Sequence, residues 1–298
     1  MFSPPYFRVV TKKYAEDWAV KLQERLNYPQ NWKEICKVEY TDGRVFNNPY
    51  MSTTPSAQSH TRGSAFTHQD FAVTNEYVTI NQSMVWPVYI DYADLAQSRY
   101  VKQMEMAELS GDILNEYVET DMLANHAMWT NFDNSAIGGS AGNIDVAVTN
   151  IRDIITGLKR EIREANGTKL AKRNGIFILW RAEDFEKLEQ FAQANGFNTA
   201  DNVLKNGLVE GFHYMGVDHY VSNSHTSGHL FGGVKNLFHV GICKSTYGKV
   251  YITQVPAQKE SGSNEAGPMS GVSIHQRLDW EFKAWTNTKG LLFDILVN

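Results

Sequence analysis

Cysteine is scarce. The 298 residues hold two, Cys36 and Cys243, too few and too far apart for a disulfide framework and without a C-x-x-C spacing for a metal or redox pair. A reducing compartment fits that usage. No apolar run approaches the ~20 residues that cross a bilayer, and the opening MFSPPYFRVVTKKYAEDW lacks the apolar core of a signal peptide. No membrane partner is therefore expected, and a cytoplasm-like setting is. Basic residues are not in surplus either: 28 Lys and Arg stand against 33 Asp and Glu, a net charge of −5. That argues against a dedicated nucleic-acid binder, which normally shows a basic surplus. Repeats and low-complexity blocks are absent. What is present is apolar content of 42%, enough to bury a sizeable core in one large domain or two modest ones.

Proline is missing from Asp91 to Trp129, and there the apolar residues recur at helical spacing. Tyr100, Met104, Ala107, Gly111, Leu114, Val118 and Met122 make one row. Met106, Leu109, Ile113, Tyr117 and Ala124 widen it, and Glu105, Glu108, Asp112, Asn115, Glu116 and Glu119 are expected on the opposite side. About 30 residues at 1.5 Å each would span roughly 45 Å, a beam longer than an ordinary globular helix.

Before this beam, the four-residue beat of Trp18, Leu22 and Leu26 predicts a short amphipathic helix within 13–26. It could lie on its own body or on a neighbour. The segment FNNPYMSTTPSAQSHTRGSAFTHQ follows a tight turn at Thr41-Asp42-Gly43-Arg44, and Arg62 is its only charged residue apart from histidines. A loop of that length is usually functional or reaches toward something. Two strand-like runs, 71–80 and 84–90, predict a hairpin about Asn81-Gln82-Ser83, with Pro87 marking an edge or bulge. An isolated hairpin is marginal in water, so this one needs another surface.

After the beam, NFDNSAIGGSAGN is a candidate domain boundary. A second helix is expected over 145–165, a buried strand over 176–180 and a helix over 182–194 closing at Asn195-Gly196. Strands are expected over 211–222, 236–243 and 249–255. Two closing strands, 273–286 and 291–297, are joined by a turn at 287–290.

The chemistry-bearing motifs are weak. GGSAGN lacks the G-x-G-x-x-G or G-K-[ST] pattern of a phosphate loop, and its G-x-S-x-G letters around Ser140 follow a polar linker instead of a strand. His213, His219, His225, His229 and His239 cluster in sequence but at irregular spacing, unlike the fixed intervals of zinc ligands. The cations Lys159, Arg160, Arg163, Lys169, Lys172 and Arg173 are interleaved with Glu161 and Glu164, the pattern of a solvated helix face. The expectation is no catalytic residue, no metal and no cofactor. A metalloenzyme using the His213–His239 region stands as the alternative from another class.

The order of parts nonetheless resembles a known family, the major capsid proteins of tailed phages with the Johnson fold first seen in a Hong Kong phage. VTINQSMVWPVYIDYADLAQS looks like that family's extended-loop return strand before the spine helix. Gly207, Leu208, Val209, Gly211, Gly216, Val217, Ser222 and Asn223 fill a glycine-punctuated axial-domain segment, with one residue more between Val217 and Ser222 than in that pattern. HQRLDWEFKAWTNTKGLLFDILVN resembles its closing strands. The resemblance implies an α+β fold with an N-terminal arm (1–39) and an extended loop with a β-hairpin (40–90). It implies a peripheral domain with the spine helix (91–135 and 265–286) and an axial domain (136–264 and 287–298).

It further implies a structural protein forming hexamers and pentamers of an icosahedral shell around double-stranded DNA, contacted non-specifically. A portal and possibly a decoration protein would be partners. The short stretch before the spine helix leads us to expect a separate scaffolding protein. Inter-subunit contacts are expected at Trp18, Leu22, Tyr50, Met51, Phe66, Phe71, Tyr77, Trp86, Gly207 and Gly211. Family members that crosslink join a Lys to an Asn, and no lysine stands between Lys37 and Lys102, so crosslinking from this loop is not expected. An encapsulin-type nanocompartment on the same fold is the rival reading.

Overall fold

One long strand organises the first of two sheets. In the computed structural model, which describes residues 17–26, 30–53, 57–63, 65, 68–91, 100–195, 211–256 and 269–298, strand β12 (Met269–Ala284) is sixteen residues long. Along one edge it pairs antiparallel with β4 (Gln82–Asp91). Along the other it pairs first with β11 (Val250–Pro256) and then with β10 (Phe238–Cys243). Strand β1 (Lys37–Thr41) adds to β10 in parallel. Pro87 sits in β4, which pairs only with β12 among the described residues and is therefore an edge strand, the place where a proline is tolerated.

The second sheet has the order β5-β13-β9-β6-β8-β7, from β5 (Thr130–Phe132), β13 (Leu292–Leu296), β9 (His229–Val234), β6 (Ile176–Trp180), β8 (Val217–Val221) and β7 (Gly211–Tyr214). Its central strands are buried along nearly their whole length. Strands β12 and β13 therefore lie in different sheets, and the turn between them is a crossover. Strands β10 and β11, inside the span expected for the axial domain, pair in the sheet of β12.

The helices follow their apolar spacing. The spine helix α3 (Tyr100–Ala124) buries Ala107, Leu114, Val118 and Met122, as the first row predicts. The second row is a correction: Met106, Leu109 and Tyr117 are exposed, and Ser110, Asn115 and Glu119 are buried in their place. Polar residues are tolerated there because each is hydrogen-bonded. Asn115 donates to the Arg25 carbonyl (3.2 Å), while Glu119 accepts from Ser222 (2.5 Å) and Asn31 (3.4 Å).

Helix α1, described over residues 17–26, lies on its own body, with Trp18, Leu22 and Leu26 each 1% exposed. It crosses α3 at Gly111, where a Cβ would stand 2.7 Å from the Arg25 Cβ, so a larger residue would push the helices apart. The short α2 (Asn31–Ile35) leads into β1. Helix α4 (Ile151–Glu164) buries Ile151, Ile155, Leu158 and Ile162 but starts six residues later than expected. Asn150 explains the delay: its side chain accepts from the Ala147 N–H and donates to the Asp145 carbonyl, closing a turn that competes with helix. Helices α5 (Thr168–Asn174) and α6 (Ala182–Ala194) complete the set, α6 with the expected bounds.

The expected hairpin is a second correction. Strand β3 (Ala72–Thr79) pairs with β2 (Val45–Thr53), while β4 pairs with β12. The long polar loop is thus strand at its start. Strand β9 was not expected, since HLFGGV carries two glycines that blur the strand signature.

Candidate assembly surface

The β2/β3 ladder is rooted at one end and uncovered beyond it. At the root Phe46 and Ile80 are buried with Cys243 and Trp285 in a small core separate from the main one, Val78 packing beside them. Phe46 meets Trp285 edge-on, ring centroids 5.7 Å apart. Gly241 of β10 makes this possible, because a Cβ there would lie 2.3 Å from the Phe46 ring. Glu76 fastens the next rung: it accepts from the backbone N–H and hydroxyl of Thr286, both at 3.0 Å, and pairs with Lys283 at 3.4 Å. Partial burial disfavours its charge, yet the Thr286 hydrogen bonds and Lys283 outweigh that and hold the carboxyl below its usual range.

Side chains alternate along the ladder, and the register puts Val45 with Thr79, Asn47 with Tyr77, Pro49 with Asn75 and Met51 with Val73 on one face. Val45, Met51, Val73 and Tyr77 are each half or more exposed. One face of a two-stranded ladder is thus open and carries these four apolar side chains among exposed Asn47, Asn75 and Thr79, next to Phe71, which is also exposed. Exposed apolar side chains grouped in this way make the ladder a candidate interaction site. The spine helix offers a second such strip, Met106, Leu109 and Tyr117, with Ile113 half-buried between them.

The residues expected at subunit contacts divide accordingly. Met51, Phe71 and Tyr77 lie on this open surface, and Tyr50 is half-buried on the opposite face of the ladder. Trp86, in β4, is half-buried against the main core. Trp18 and Leu22 are buried in the chain's own core, where α1 packs against the spine helix at Gly111. Gly211 opens β7, while Phe66 and Gly207 lie outside the described residues. Sequence reasoning missed Val45 and Val73. Their signal was alternation with Tyr77 and Met51, hidden by the assumption that β3 paired forward.

The histidines do not converge as their sequence clustering hinted. His213 bonds Asp218 (2.6 Å) at the surface, His219 is buried beside Trp180, and His239 faces Glu39 (3.3 Å) in the other sheet. His229 joins a different group, with His126 from the 3-10 turn Asn125–Met128 and Asp294 of β13. The ligand atoms of these three lie within 4.8 Å of one another, the one grouping of its kind among the described residues. Burial pushes the Asp294 carboxyl up from its ordinary value, against the opposing hydrogen bond of His229. Both cysteines are free and buried. No described helix is long and apolar enough to cross a membrane.

No protein-family model matches this chain, and no curated protein matches it. Its fold is shared by solved structures. A virus-like particle from Pyrococcus furiosus superposes with a TM-score of 0.58 at 11% identity, over 95% of this chain and 99% of that one. The mature capsid of bacteriophage PhiM1 gives 0.59 at 11% identity, over 91% and 88%. The capsid of a native GTA particle gives 0.58 at 11% identity, over 89% of each chain. These define the class: an α+β chain with the capsid architecture. More narrowly, the fold is the Johnson type of the Hong Kong phage, as the order of parts implied.

Proposed function

We propose that this chain is a shell subunit, the major capsid protein of a tailed phage, assembling into hexamers and pentamers around double-stranded DNA. The observation that carries the reading is the rooted β2/β3 ladder with exposed apolar side chains on one open face, in a chain whose fold is that of capsids. A neighbouring copy is the natural occupant of such a face. Repeated heterologous contacts close into a shell under point symmetry, and many modest contacts per subunit accumulate into a stable particle. The net charge of −5 suits a container that holds DNA without gripping it. In this role the protein is structural and works as part of a virion, with a scaffolding protein, a portal and a decoration protein as partners. The domain division given by the family pattern belongs to the same proposal.

The likeness to a virus-like particle over almost the full length of both chains supports a second reading, a nanocompartment shell enclosing a protein cargo. Electron microscopy with light scattering on the tag-free protein, alone and co-expressed with the genes flanking its own, tests both. Wild-type protein is expected to give closed shells or rings of five and six. Val73→Asp and Tyr77→Asp are expected to leave the subunit folded, within about 0.5 kcal/mol as surface changes, and to abolish particles. Unchanged assembly in both variants would sink the ladder contact. A persistent monomer under all co-expression conditions would sink the shell. Shells filled with protein instead of DNA would favour the compartment.

A further inference from the structure

The end of the spine helix is tied to the second sheet by a cluster with no part in the assembly surface. Asp294 is 2% exposed in the middle of β13. Both of its oxygens lie 2.9 Å from Nδ1 of His229, and one lies 3.5 Å from Nδ1 of His126. The two imidazoles stack on each other, centroids 3.8 Å apart and planes 23° from parallel. A buried carboxylate requires a compensating positive charge. Elsewhere this protein supplies one: Asp184, fully buried, has Arg181 at 2.7 Å and Lys187 at 3.1 Å. Among the described residues no lysine or arginine pairs with Asp294, and its side-chain partners are two imidazoles.

We propose that His126, His229 and Asp294 form a structural site for a divalent transition-metal ion of the zinc type. Two imidazoles and one carboxylate are a donor set that suits zinc. Donors ~2.0–2.2 Å from a tetrahedral ion stand about 3.4 Å apart, and the His–Asp separations of 2.9 and 3.5 Å bracket that spacing. Stacked rings aim their lone pairs side by side, so capture requires one imidazole to turn about its Cβ–Cγ bond. His126 is free to do so, in a 3-10 turn with about a quarter of its side chain exposed. The partial exposure of His126 and His229 also gives the ion a way in and leaves a coordination position for water. The three ligands come from the turn after α3, the first residue of β9 and the middle of β13. The ion would therefore staple the spine helix to the second sheet, and part of its binding energy would appear as stability.

The test is equilibrium dialysis of tag-free, chelator-stripped protein against Zn²⁺, with melting followed in parallel. Cobalt substitution reads the geometry through its visible absorption. One ion per chain, a melting point raised by Zn²⁺ and lowered by chelator, and a tetrahedral cobalt spectrum are expected. His126→Ala and His229→Gln are each expected to weaken binding by roughly 100-fold or more, since losing even an outer partner of a ligand costs ~10–100-fold. His213→Ala is expected to leave it unchanged. Absence of saturable one-to-one binding would overturn the site, as would wild-type affinity in whichever of the two ligand variants folds. His126 lies outside both sheets, so its variant is the one least exposed to a folding defect.

Discussion

His219 sits in the second sheet, 1% exposed, and its ring is held in one tautomer. The Trp180 indole N–H donates to Nδ1 at 2.9 Å, which leaves the proton on Nε2, facing the Tyr214 carbonyl at 3.2 Å. Burial presses its pKa down to about 4, against the Tyr214 hydrogen bond, and a second proton on Nδ1 would meet the indole N–H head-on. The folded state thus binds this proton more weakly than the unfolded chain, whose histidine titrates near 6.5. The stability tied to His219 is complete above pH 6.5 and drains away as the pH falls toward 4, by roughly 3 kcal/mol in total. His225 and His239, also held to about 4 chiefly by burial, act in the same window. Denaturation curves across pH 7 to 4 are expected to show a steep loss, and His219→Gln to remove one proton's share of that slope. An unaltered slope in the variant would contradict the assignment. None of this was legible in advance. Five histidines crowd into 27 residues of sequence, and which of them a sheet buries depends on strands from elsewhere in the chain.

Among the elements, the ladder depends on a single missing methyl. Gly241 lies under Phe46, and Gly241→Ala forces the ring out of the pocket it shares with Ile80 and Trp285. Overpacking of this kind costs about 1–3 kcal/mol. Urea denaturation is expected to show that loss, and Gly290→Ala, where a Cβ meets nothing within 4 Å, to show almost none. Equal effects would mean that Phe46 yields freely. Elements that carry their own signal were readable: the apolar run of β6, the periodicity of α6, the buried row of α3 and the four-residue beat of α1. Pairing was not. Adjacent strands pair in sequence about two-thirds of the time, so β3 followed by β4 read as a hairpin. The actual partner of β4 arrives much later in the chain, with β12.

For the molecule as a whole, the two sheets and the spine helix share one core, and the ladder stands apart from it. Hydrogen exchange on the unassembled protein is expected to be slow along β10 and the second half of β12 and fast along β2 and β3 beyond Phe46, since local opening follows sparse burial. In particles the ladder amides are expected to slow by at least an order of magnitude. Protection of the ladder already in the monomer would mean that its open face is covered from within. The candidate surface was partly legible, because a nearly uncharged segment with exposed aromatics reads as something that wants a partner. Its orientation was not, for want of the register.

The sixteen-residue strand β12 also sets a timetable for synthesis. Asp91 of β4 must wait for Gly271, roughly 180 residues later, before its ladder can close. At ~5–20 residues per second a ribosome needs about 10–35 s to deliver that partner. Throughout this interval the first sheet has no centre, and the sticky face of β2 and β3 is already outside the exit tunnel. On the shell reading proposed above, the chain therefore spends its nascent life beside other nascent copies with its assembly surface bare. Polysomes making this chain are places where holdase chaperones have the most to do.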